Sequence, residues 1–171
     1  MKQGLVRLRA MEPEDLDDLY QIENDRNLWD VGRTNVPYSR FALHEYIANS
    51  ANDIYSDKQL RLIIETGEDK VAGIVDLCNY DPRHNRAEVG IVVKAAFRNQ
   101  GLAHEALSEL HRYADEVLGV YQLYAIVAQT NGQSLSLFKS LGYQHTATLR
   151  HWLCSDDGYQ DALLMQKKIK K

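Results

Sequence analysis

The chain has 171 residues, of which 44% are hydrophobic and 26% charged, with a formal net charge of −4. That balance fits one globular domain large enough to bury a full core. The acidic surplus excludes charge-driven binding to nucleic acid or an anionic membrane, and no apolar run is long enough to cross a bilayer.

Leu5-Val6-Arg7-Leu8-Arg9 alternates and predicts a strand. Glu12-Pro13-Glu14-Asp15 reads as a helix start, with proline and acids in the first turn. Leu16, Leu19, Tyr20 and Ile22 then mark one helical side. The stretch from Asn27 to Pro37 is irregular, and Ser39 to Ala51 is a second helical pattern. Strands follow over Gln59–Glu65, Lys70–Leu77 and Arg86–Val93, with a Gly67-Glu68-Asp69 turn after the first. A long helix opens within residues 98–103 and runs to about Leu118, with Leu102, Ala106, Leu110, Tyr113 and Val117 on one face. Tyr121–Ala128 is a strand, and Ser134–Leu141 a short helix closed by Gly142. Two last strands, Gln144–Leu153 and Tyr159–Ile169, join through Asp156-Asp157-Gly158. The order β-α-α-β-β-β-α-β-α-β-β predicts a single domain of α/β (α+β) class with a mixed, largely antiparallel sheet and flanking helices.

Cys78 and Cys154 have no Cys-x-x-Cys spacing and read as free thiols of a reducing, cytoplasmic setting. The N-terminus lacks the apolar core of a signal peptide. The six histidines show no ligand spacing, so no metal site is expected.

Chemistry concentrates in Arg98-Asn99-Gln100-Gly101-Leu102-Ala103, between an apolar strand and a helix start. The first N–H groups of a helix lack intrahelical partners and lie at the positive end of its dipole, so such a turn can hold a phosphate. Glycine removes the Cβ that would keep a ligand away, and Arg98 adds charge. The same residues also serve as plain turn chemistry with a solvated arginine. No Gly-Lys-Ser/Thr follows, so this is not a Walker A loop, and the glycines do not fit a dinucleotide fingerprint.

The string fits Arg/Gln-x-x-Gly-x-Gly/Ala, and with it the chain resembles the Gcn5-related N-acetyltransferases. The strand Ala87–Val92 is similar to that family's central strand. Asn131-Gly132-Gln133-Ser134 through Leu141-Gly142-Tyr143 is similar to its Asn-x-x-Ser/Ala…Leu-Gly-Phe/Tyr segment. The likeness runs from about Leu5 to Ile169. Within the family, Leu8–Leu16, Pro37-Tyr38, Arg83–Glu88 and Asp157–Ala162 look most like the branch of spermidine and ribosomal-protein N-terminal acetyltransferases.

The resemblance implies an acyl-CoA N-acyltransferase fold whose central strands splay into a cleft for acetyl-CoA. Backbone at Ile91, Val92 and Val93 would pair with the pantetheine arm. Residues Arg98, Asn99, Gln100, Gly101, Leu102 and Ala103 would hold the pyrophosphate, with Asn131 and Phe138 completing the cofactor side. Asn131 is equally a helix cap. The amine would attack directly in a ternary complex. Glu88 would act as general base through water, or else pair with Arg86 or Lys94 on a strand surface. A backbone N–H among Val89 to Ile91 would polarise the thioester carbonyl. Where relatives place a tyrosine acid this chain has Phe138, which has no proton to give. Tyr143 is carried as the substitute acid, with Tyr124 and Cys154 as alternatives. Trp29, Asp30, Glu45, Glu65 and Trp152 are candidates for the acceptor site, or surface acids and core aromatics. The expected acceptor is a polyamine or other small amine. The alternatives are a protein N-terminus, or an acyl-CoA sensor with little catalysis. The resemblance also implies a homo-oligomer, although no interface stripe stands out.

Overall fold

Alternation of apolar side chains builds the frame. Ile63 and Ile64 are neighbours in one strand and both are fully buried, yet they enter different cores, because successive strand side chains face opposite ways. The sheet that separates those cores is seen in a computed structural model, which describes residues 6–28, 36–155 and 157–170. Its strands are β1 (Val6–Arg9), β2 (Leu60–Thr66), β3 (Val71–Asp81), β4 (Arg86–Val93), β5 (Gln122–Ala128), β6 (Gln144–Ser155) and β7 (Gly158–Lys168). They lie in the order β1-β2-β3-β4-β5-β7-β6. Every neighbouring pair is antiparallel except β4 with β5.

The helices are α1 (Leu16–Glu23), α2 (Arg40–Asn49), α3 (Ile54–Asp57), α4 (Leu102–Glu116) and α5 (Gly132–Ser140). Helix α4 presents Leu102, Ala106, Leu107, Leu110 and Ala114 to Ile64, Val75, Leu77, Val89 and Leu123 on one face. On the other face, Leu19, Ile22 and Leu43 from α1 and α2 cover Ile63 and Ile74. The result is three layers with the sheet in the middle.

Differences from the sequence expectation are local. Helix α3 is new; Asp53 caps it by accepting from the Tyr55 N–H at 2.9 Å. Strand β3 runs on to Asp81, past the expected end at Leu77, because a bulge between Cys78 and Asp81 lets it stay paired with β4. Gly73 in β3 is obligatory: a Cβ there would lie 2.0 Å from the Val92 carbonyl oxygen. This close approach fixes the line of β4, the strand on which the site is built.

Candidate active site

Strand β4 touches β5 only through Arg86–Gln122, Ala87–Leu123 and Glu88–Tyr124. Beyond Glu88 the two part. Val89 to Val93 remain paired with β3, and Ala125 to Ala128 remain paired with β7. A wedge therefore opens between two strands, each anchored on its outer side. Backbone groups of β4 that would have met β5 are left facing it, as an edge strand's are.

The loop after β4 turns sharply. Residues Ala95–Phe97 form a single 3-10 turn, and Asn99 and Gly101 both take left-handed backbone, with φ of 59° and 79°. The Arg98 Nε donates to the Val93 carbonyl at 3.0 Å, and the Gln100 Nε2 to the Ala96 carbonyl at 3.0 Å. These side chains tie the loop to its own backbone. Gly101 is the N-cap of α4, so no side chain caps that helix, and nothing lies within 4 Å of the position its Cβ would occupy. Helix α5 shows the contrast: the Asn131 side chain accepts from the Ser134 N–H at 3.1 Å. An uncapped 15-residue helix with open space over its glycine, at the mouth of the wedge, is fit to receive a pyrophosphate.

At the vertex stands Glu88, in the last paired row before the strands part. The Asn79 Nδ2 donates to its Oε2 at 2.8 Å. The half-buried Tyr124, its partner in β5, lies beside both. Burial, and then the Glu88 charge, push the Tyr124 hydroxyl above the ordinary tyrosine range. Asn79 is not among the sequence candidates, and Tyr124 is one only as an alternative acid, not as a neighbour of Glu88. The only available signal was an Asn beside the end of an expected strand, and it names no partner.

Two expected roles need correction. Tyr143 is 3% exposed and buried away from solvent in the core. Its ring meets Phe138 edge-on at 4.9 Å, and its hydroxyl lies 2.9 Å from the His111 Nε2. Burial raises its pKa further. This hydroxyl is a core hydrogen-bonding group, so Tyr143 is withdrawn as the acid. Glu65 is 5% exposed and accepts from the Arg7 Nε at 2.9 Å and the Arg9 Nε at 2.6 Å. It is an internal counter-ion joining β1 to β2, not an acceptor contact.

The remaining expectations place as follows. Phe138 is buried against Tyr143, where it anchors α5. Glu45 is exposed on α2 beside His44, at 3.4 Å. Trp152 is 55% exposed, on the irregular stretch of β6 between Leu149 and Leu153. The structure brings neither Glu45 nor Trp152 into a described contact with Glu88. Trp29 and Asp30 lie outside the described residues. Among the described residues, no cluster of His, Cys, Asp or Glu could hold a metal ion, and no helix is long and apolar enough to cross a membrane.

Comparison with known proteins agrees with this geometry. A family profile described as "Acetyltransferase (GNAT) domain" matches residues 6–144. The spermidine N(1)-acetyltransferase of Escherichia coli K12 is 29% identical over 160 residues, covering 94% of this chain and 84% of that protein. The Vibrio cholerae spermidine N(1)-acetyltransferase is 25% identical over 160 residues, covering 94% and 91%. A crystal structure of the Vibrio cholerae spermidine N-acetyltransferase in complex with CoA and spermine superposes with a TM-score of 0.86 at 24% identity, covering 96% and 95%. A dodecameric structure of that enzyme gives 0.80 at 23% identity, covering 96% and 94%.

Proposed function

The chain belongs to the GNAT acetyltransferases, and on that footing we propose that it moves an acetyl group from acetyl-CoA to a primary amine of a polyamine. The observation that carries this reading is the parting of β4 from β5 beside the uncapped start of α4, with a carboxylate at the vertex. Acetyl-CoA would supply the activated acetyl group. The N–H groups at the start of α4, with Arg98 and residues 99–103, would hold its pyrophosphate. The backbone of Ile91, Val92 and Val93 would pair with the pantetheine arm as an added strand. Asn131, which caps α5 after the end of β5, would add a further polar contact to the cofactor.

An aliphatic ammonium loses its proton near pH 10.4 or so, and only the neutral amine has a lone pair to give. Glu88 is the base in this reading, taking that proton through water. The nitrogen pair then forms the N–C bond to the acetyl carbonyl carbon, a β4 N–H polarises the oxygen, and the C–S bond breaks with its electrons leaving on sulfur. Thiols titrate at about 8.5, so the thiolate can leave without a side-chain acid, and the second proton of the attacking nitrogen passes to it through water. Phe138 makes that route the expected one.

The polyamine acceptor rests on the relatives, which are named for spermidine. A homo-oligomer agrees with the dodecameric Vibrio cholerae enzyme, and a reducing cytoplasm with two cysteines, Cys78 and Cys154, that form no disulfide among the described residues. The test is thiol release from acetyl-CoA against spermidine, spermine, aminoglycosides, amino acids and N-terminal peptides. Release that depends on the polyamines supports the reading. Release with peptides alone would move the acceptor to a protein N-terminus. Coenzyme A binding without amine-dependent release would make the chain a binding module.

A further inference from the structure

We propose that Asn79 is a positioning residue for acetyl transfer: presented by the β3 bulge and flanked by Tyr124, it fixes the carboxylate of Glu88 at the vertex of the cleft. The inference rests on Glu88 being the base of the proposed reaction.

The bulge sets the direction. Cys78 pairs with Glu88 and Asp81 pairs with Arg86, so three steps on β3 answer two on β4. One extra residue must be absorbed, and Asn79 absorbs it with a left-handed φ of 51°. An asparagine tolerates that conformation better than most side chains, but the conformation is still uncommon and must be held by its surroundings. A bulge re-aims a side chain relative to a regular strand. Here it delivers the amide to Oε2 of Glu88 at 2.8 Å, while Asn79 itself stays at the exposed end of the strand.

Three features distinguish this contact from incidental surface polarity. The hydrogen bond is charge-assisted and has good length. It falls on the one carboxylate in the last β4–β5 row before the wedge. Tyr124, opposite Glu88 in that row, also lies beside the amide. The Glu88 carboxylate turns about three side-chain bonds. An amide donor fixed by backbone geometry removes much of that freedom before the amine arrives, which is how a supporting residue aids a base.

The amide is neutral, so it orients Glu88 without adding charge. A carboxylate in its place would crowd a second negative charge against the first and favour protonation of the pair.

The experiment measures thiol release from acetyl-CoA with spermidine across pH for the full chain and the variants Asn79→Gly, Asn79→Asp and Glu88→Gln. Asn79→Gly keeps the left-handed backbone accessible and removes only the amide. It is expected to lower kcat about tenfold with an unchanged KM for acetyl-CoA, the loss of one hydrogen bond to a charged group. Asn79→Asp is expected to move the acid limb of the rate profile upward by about one pH unit. Coenzyme A binding by each variant, measured by calorimetry, reports an intact fold independently of turnover. If Glu88→Gln is impaired but Asn79→Gly matches the parent in kcat and in pH profile, the positioning role is refuted and the base reading stands. If Glu88→Gln is fully active, both fall together.

Discussion

Acidification is expected to weaken the fold through His111 well before carboxylates protonate. His111 lies on the inner face of α4, 9% exposed, between Tyr143 and Lys167. The Lys167 Nζ sits 3.3 Å from its Nδ1 and also donates to the Leu141 carbonyl at 2.7 Å. An ammonium cannot accept, so Nδ1 accepts from it and Nε2 carries the proton, donating to the Tyr143 oxygen. The arrangement requires a neutral imidazole. Burial, then the Lys167 charge, then His104, lower its pKa from 6.5 to about 3. The unfolded chain therefore binds a proton that the folded chain refuses. Stability from this group is complete above the unfolded value and is lost as pH falls from about 6.5 toward about 3. Moving from about pH 7.5 to about pH 5 should cost about 2 kcal/mol, or about 4–8 °C in Tm for a domain this size. Urea unfolding of the parent and His111→Gln at both pH values checks it. The variant starts less stable, but the pH-dependent part of its loss should shrink by about that amount. An equal loss in both proteins would refute the neutral buried histidine.

Other substitutions separate the halves of the site. Arg98→Ala should raise the KM for acetyl-CoA by only about threefold to tenfold with kcat unchanged, since backbone donors remain; steady-state kinetics at two salt concentrations would show it. Gly101→Ala puts a Cβ at a φ of 79° and should raise the same KM while costing on the order of 1 kcal/mol in stability. Glu65→Gln should lower stability by about 1–2 kcal/mol, because Arg7 and Arg9 lose a carboxylate partner while Arg9 keeps its ion pair with the buried Asp15, and should not change KM for any amine; a changed amine KM would return Glu65 to the acceptor site. Phe138→Tyr should raise turnover if thiolate departure limits the rate, and stopped-flow thiol detection with each amine would record it.

The fold was legible because its determinants are local and repeated. Period-two alternation marks β1, and the spacing of Leu102, Ala106 and Leu110 marks α4. What escaped was short or bent. Helix α3 spans four residues, too few for any periodicity to register. The expected strand Lys70–Leu77 stops short of Asp81 because β3 continues through a bulge, which interrupts the regular pattern of a strand.

The site divides along the same physical line. Its coenzyme A half is made of backbone: a strand edge, a glycine at positive φ and a helix terminus. Backbone conformations demand particular residue types, so the turn and helix start at Arg98 to Ala103 stand out in the sequence. The proposed proton-handling half is made of side chains from three strands that meet only after β3, β4 and β5 have found their register. Nothing local to Asn79 or Tyr124 announces Glu88, nine and thirty-six positions away. The same distance effect misplaced Tyr143 and Glu65. Sequence could not show that Glu65 meets Arg7 and Arg9, fifty-eight and fifty-six positions away, or that Tyr143 meets His111. Buried polar groups are satisfied by partners chosen by topology, and those partners decide whether a titratable residue holds the core or faces a substrate.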